Sequence, residues 1–170
     1  MAQVSTEVPG DERGTLLAFV EAQREGLREA ARGLTEEQAA SRPTVSELSL
    51  SGLLKHVAGC ELGWLRMAQE RRADGESDAE SWSDGFRLVE GESMPQVLAF
   101  WDGVRQETEA FIAAVPSLDD TFPLPPAPWF PENGKVSMRW MLLHLIEEFA
   151  RHAGHADVIR ESLDGTKAMG

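Results

Sequence analysis

Cysteine is nearly absent from this chain: Cys60 stands alone among 170 residues. A single thiol excludes an intramolecular disulfide and any cysteine-rich zinc module. Cys60 reads as a small buried residue near His56, with a reactive thiol or an alternative metal ligand as the sharper reading. Basic residues are scarce too, at 16 Lys and Arg against 29 Asp and Glu, for a formal net charge of −13. Neutralising phosphates requires the opposite balance, so no nucleic-acid partner is expected. No apolar run approaches about 18 residues, which argues against a membrane-spanning helix and a membrane partner. The opening stretch MAQVSTEVPGDERG lacks a basic start followed by an apolar run, so no secretory signal is read and a cytoplasmic setting is expected. Internal repeats and convincing strand-like alternation are also missing.

What remains is helical patterning. Residues 1–170 read as one domain, long enough to bury a core unaided, with residues 1–10 as a flexible N-terminus. Between about residues 11 and 32, Leu16, Phe19, Val20, Leu27, Ala30 and Ala31 recur at helical spacing, and Gly33 ends the run. A second helix is expected from Ser49 or Ser51, either of which can cap free amides. It fades in the polar stretch RRADGESDAESWSDG, which reads as a loop. A third should run from Ser93 to about Val115, with Pro95 in the first turn where proline is tolerated. The stretch PSLDDTFPLPPAPWFPENGKV then holds six of the nine prolines and reads as a long loop anchored by Phe122, Trp129 and Phe130. A fourth helix follows Ser137, runs to about Leu163 and stops at Gly165. Four such helices predict an all-α four-helix bundle with long loops between helices 2 and 3 and between helices 3 and 4.

Histidine is rare as well, yet three of the four fall within MLLHLIEEFARHAGHADVIRE, at His144, His152 and His155. At about 100° per residue, with His144 at zero, Glu148 falls near 40°, His152 near 80° and His155 near 20°. Four metal-competent side chains therefore share a narrow face bordering the core positions Leu142, Leu145, Phe149, Ala153 and Ala156. The fourth histidine, His56, lies in GLLKHVAGCELGWL. Two ligands at i and i+4 on one helix plus one from another suit zinc or a similar divalent ion, with a position left for water. Spacing does not choose among His144/Glu148, Glu148/His152 and His152/His155, and packing or surface chemistry is the plain alternative. No HExxH is present, because Leu145 follows His144 and Ala153 follows His152, which argues against a zincin protease. Trp64, Trp101 and Trp140 occupy helical core positions and read as packing. Trp129 and Phe130 could wall a pocket or anchor their loop.

Two blocks, LSGLLKHVAGCELGWL at 50–65 and MRWMLLHLIEEFARHAGHADVIRESLDG at 138–165, resemble the DinB/YfiT-like superfamily of metal-binding four-helix bundles. The chain is similar above all to the actinobacterial branch that includes mycothiol-dependent enzymes. The resemblance implies a metal held by one histidine from the second helix and an i, i+4 pair from the last. The matching residues here are His56, Glu148 and His152. Glutamate stands where many members have histidine, as in the mycothiol-dependent maleylpyruvate isomerase type. Two histidines and one glutamate still make a catalytic zinc set, with nickel as the alternative metal. His144 and His155 do not match family ligand positions. They read, with Glu61 and Arg160, as groups that orient ligands, face substrate or serve structure.

The resemblance further implies thiol chemistry: a low-molecular-weight, mycothiol-like thiol transferred to a small electrophile. A cation at two imidazoles and one carboxylate would favour the thiolate, which is the nucleophile. A metal-dependent isomerase or hydrolase on a small molecule is the first alternative. A non-enzymatic, stress-related binding protein with a structural or vestigial metal is the second. Relatives often pair through their helices, which makes a homodimer one candidate state, and no clean heptad seam in the sequence chooses it.

Overall fold

The computed structural model describes residues 10–70 and 85–167. The expected flexible N-terminus up to residue 9 and most of the expected loop after the second helix, residues 71–84, lie outside the described residues. Five helices and one short hairpin make up the rest: α1 (Glu12–Ala31), α2 (Glu36–Ala40), α3 (Leu50–Ala68), α4 (Met94–Ala114), β1 (Thr121–Pro123), β2 (Lys135–Ser137) and α5 (Met138–Asp164). The four long helices are those the apolar spacing predicts. No helix among the described residues is long and apolar enough to cross a membrane.

Each long helix starts on a side chain that takes up an otherwise unpaired amide. Asp11 accepts from Gly14 N at α1, Ser49 from Gly52 N at α3, Ser93 from Gln96 N at α4, and Ser137 from Trp140 N at α5. Of the two serines that could open the second helix, Ser49 does so. The last helix ends on Gly165 at φ 78°, in the left-handed region where glycine carries no side-chain penalty.

Two elements differ from expectation. Thr35 and Gln38 form a reciprocal capping box that starts the five-residue helix α2. The proline-rich stretch is not wholly loop: β1 and β2 pair antiparallel, Phe122 opposite Val136. A two-stranded ribbon has only edge strands, so Pro123 costs it no central hydrogen bond. Three residues per strand also leave too little alternation to read from sequence. Phe122 is 1% exposed and anchors the ribbon, while Met138 N donates to Asp120 O at 3.0 Å and joins it to α5.

α1 packs along α5, and α3 lies against both α4 and α5. The core between them includes Leu53, Leu54, Trp101, Ile112, Leu142 and Phe149, all under 2% exposed. Trp101 and Phe149 meet edge to face at 5.8 Å and 88°. One charged pair is sealed into this core. Arg24 of α1 donates through Nε to Glu61 of α3 at 3.2 Å, and Trp101 Nε1 of α4 donates to the same carboxylate at 2.8 Å. Three helices are thus tied at one carboxylate. Phe19, read as part of the buried face of α1, is instead 42% exposed.

Candidate metal centre

His56 projects from α3 toward α5, where Glu148 and His152 lie one turn apart. Glu148 Oε1 is 3.1 Å from His56 Nε2 and 3.1 Å from His152 Nε2. One ligand atom from each residue fits within 4.8 Å of the others, a grouping that can hold a metal ion. His56 and Glu148 are half-buried and His152 is buried. Hydrogen bonds from His152 and then His56 hold the Glu148 carboxyl far below the usual carboxylate range. The His56 and His152 rings meet at 4.8 Å and 69°.

His155 touches this group from behind. Its Nδ1 lies 3.4 Å from Nδ1 of His152, so one imidazole donates to the other. Burial, followed by the nearby His152, pushes the His155 imidazole down. The remaining candidates lie elsewhere. His144 stacks on Trp140 at 5.1 Å and 8° and meets Trp64 edge-on at 4.7 Å. Burial pushes its imidazole down, favouring the neutral form. Glu61 is taken up by Arg24 and Trp101. Arg160 donates to the carbonyls of Ala30 and Arg32 at 2.9 Å each, closing the end of α1.

Two contributors were not read from the sequence. Phe86 lies flat on His56, rings 3.9 Å apart and 17° from parallel. Its segment crosses α3 at Gly52, where an added Cβ would stand 1.9 Å from the Phe86 carbonyl oxygen. Glycine at 52 is what admits the crossing. Trp140, read as core packing, is 39% exposed and lines a cavity. Helical spacing placed it beside the core; its face of α5 is instead the one that carries His144 and Glu148.

That cavity encloses about 1380 Å³ between α3, α4, α5 and the proline-rich loop, with His56 and Glu148 on its wall. Cys60 also faces it, and burial, with Glu148 and Glu61 adding to it, pushes this thiol up to about 12. A thiol so raised is mostly protonated at neutral pH and a poor nucleophile. Its alkylation by iodoacetamide at pH 8 should therefore run roughly a thousandfold slower than that of a free cysteine with pKa ≈ 8.5. Mass spectrometry of timed samples measures this; labelling at the free-thiol rate would show that the half-buried Cys60 thiol is not raised.

A family model described as mycothiol S-transferase matches residues 15–165. The crystal structure of a conserved protein from Enterococcus faecalis is similar in fold, with a TM-score of 0.69 and 16% identity. The match covers 91% of this chain and 98% of that one. No curated protein matches the chain.

Proposed function

The chain belongs to the mycothiol S-transferase family, and from that premise we propose that it transfers a low-molecular-weight thiol to a small electrophile with the help of a divalent metal. The observation that carries the reading is the convergence of two imidazoles and one carboxylate on the wall of a large cavity. This donor set fits zinc, with nickel as the alternative. A divalent ion there would supply charge that favours a thiolate at neutral pH.

The chain's own residues do the rest. His56, Glu148 and His152 present donor atoms from two helices, so docking of α3 on α5 fixes their spacing. Phe86 covers one face of His56 and keeps its ring from turning. His155 holds Nδ1 of His152 and fixes its orientation. Cys60, as the only protein thiol, is too weakly acidic to compete as nucleophile. A homodimer is one candidate assembly from the same family likeness.

The test is a transfer assay on purified protein supplied with zinc, mycothiol and an electrophile, with glutathione as the comparison thiol. The expected product carries the thiol, forms in proportion to enzyme and disappears on chelation. A product lacking the thiol would replace this reading with hydrolysis or isomerisation. Failure of every electrophile in a broad set to consume thiol would leave a binding protein.

A further inference from the structure

We propose that the electrophile taken by this site is a flat aromatic molecule, seated in one half of the cavity between α3, α5 and the proline-rich loop. This rests on the thiol-transfer reading above. The cavity wall is divided. Lys55, Glu92 and Gln96 give one end polar groups, with Lys55 Nζ 2.7 Å from the Glu92 carboxylate. Aromatic rings supply the other end, and those rings form one connected chain. Trp129 meets Phe130 at 6.2 Å, Phe130 meets Trp64 at 6.3 Å, Trp64 meets Trp140 at 5.2 Å, and Trp140 stacks on His144. Trp129 is 69% exposed and Trp140 39%, so part of each ring stays open to the cavity even though His144 covers one face of Trp140.

Position along the helices ties this aromatic half to the candidate metal centre. His144 precedes Glu148 by one turn on α5, and Cys60 follows His56 by one turn on α3. A ring laid against the cavity side of Trp64, Trp140 and His144 therefore has its near edge about one turn, roughly 5.4 Å, from the donor cluster. Cavities for single drug-sized ligands are about 300–1,000 Å³. At 1380 Å³ this one has room for a polar thiol at one end and an aromatic acceptor at the other.

The floor of the aromatic half is kept open by choice of residue. Gly59 and Gly63 lie one turn apart within α3 and line the cavity. Glycine is a poorer helix former than alanine, yet a Cβ at either position would meet nothing within 4 Å among the described residues. No packing contact there calls for these glycines, and they leave the cavity floor open to a ligand. Stacking on tryptophan favours planar rings, whereas an aliphatic acceptor gains only contact area. With an aryl halide, sulfur bonds to the ring carbon and the carbon–halogen bond breaks. The halide leaves with its electron pair, and the thiol proton passes to water.

The experiment separates this proposal from the thiol chemistry. Calorimetry on metal-free protein with 1,3-dinitrobenzene, which has no leaving group, reads ring binding alone. Wild type should bind it, and Gly63→Leu should weaken binding roughly tenfold or more by filling the floor. Trp140→Leu should weaken it in parallel. With zinc and mycothiol supplied, Gly63→Leu should also lower turnover of 1-chloro-2,4-dinitrobenzene relative to iodoacetamide, a compact electrophile. No binding by wild type, or equal binding by all three proteins, overturns the proposal whatever the transfer assay gives. Binding that Gly63→Leu removes, found without any thiol adduct, upholds the aromatic site and overturns the transfer reading instead.

Discussion

Replacing His152 with alanine should abolish tight divalent-metal binding. The untagged wild type should carry about one zinc per chain at a three-ligand site, and His56→Ala and Glu148→Ala should fail in the same way. The grading among neighbours is the sharper part of the prediction. His155 touches His152 through Nδ1, so His155→Ala should weaken zinc binding by about 10–100-fold, the usual effect of losing a partner that orients a ligand. With a metal bound, Nε2 of His152 would give up the proton it donates to Glu148, and the proton left on Nδ1 would be held by His155. His144→Ala should stay within a few-fold of wild type, because that ring is held between Trp140 and Trp64 instead. Competition against a chromophoric chelator gives the affinities, and elemental analysis gives the stoichiometry. Zinc at about 100 times its Kd should also raise folding stability by about 2.7 kcal/mol, and a chelator should reverse it. Equal metal content in wild type and all three ligand variants would refute the assignment of these residues.

Legibility of this fold in the sequence tracks how local each signal is. Ser49, Ser93 and Ser137 act on amides within three residues of themselves, and Gly165 on its own dihedral. These boundaries could therefore be read without the structure. The stripe from His144 to His155 is likewise set by the helical period. Long-range contacts were not readable. Phe86 reaches His56 only because its segment crosses α3 at Gly52, a contact between residues thirty apart that no period reports. Its one local hint is that Gly52 lies in the first turn of α3, where glycine weakens the helix unless something passes close by.

Trp140 and Glu61 show the two directions in which periodicity misleads. Trp140 lies one turn before His144 and two before Glu148, on the same side of α5. A stripe bordering the core also borders the cavity, and spacing does not separate the two. Glu61 follows His56 by five residues, about 140° around the helix. It therefore faces Arg24 and Trp101, away from the donor cluster. Closeness in sequence to a candidate ligand was a weaker guide than angle.

Removing Arg24 should cost the protein about 3–5 kcal/mol, the usual penalty for stranding one half of a buried ion pair. That is a large share of the roughly 5–15 kcal/mol that holds most domains folded. Both side chains are fully shielded from solvent. The two halves are not equally dependent on each other. Arg24 also reaches Glu21 at 2.9 Å and Glu109 at 3.3 Å, both partly exposed. Glu61 has Arg24 and the Trp101 indole. Arg24→Met therefore leaves a buried carboxylate with one neutral donor, whereas Glu61→Gln leaves a guanidinium that keeps two acceptors. Arg24→Met should be the more damaging in urea titrations followed by far-UV circular dichroism. The double variant Arg24→Met/Glu61→Leu should recover much of the loss, because no charge is then stranded. It should still fall short of wild type by about 1–3 kcal/mol, since the Trp101 N–H loses its acceptor. If each single variant costs under about 1 kcal/mol, the pair behaves as an exposed one and the sealed junction of α1, α3 and α4 is wrong. If the junction holds, it fixes α3 on the side opposite the cavity. His56 then meets Glu148 and His152 across a face that packing, not the metal, has already set.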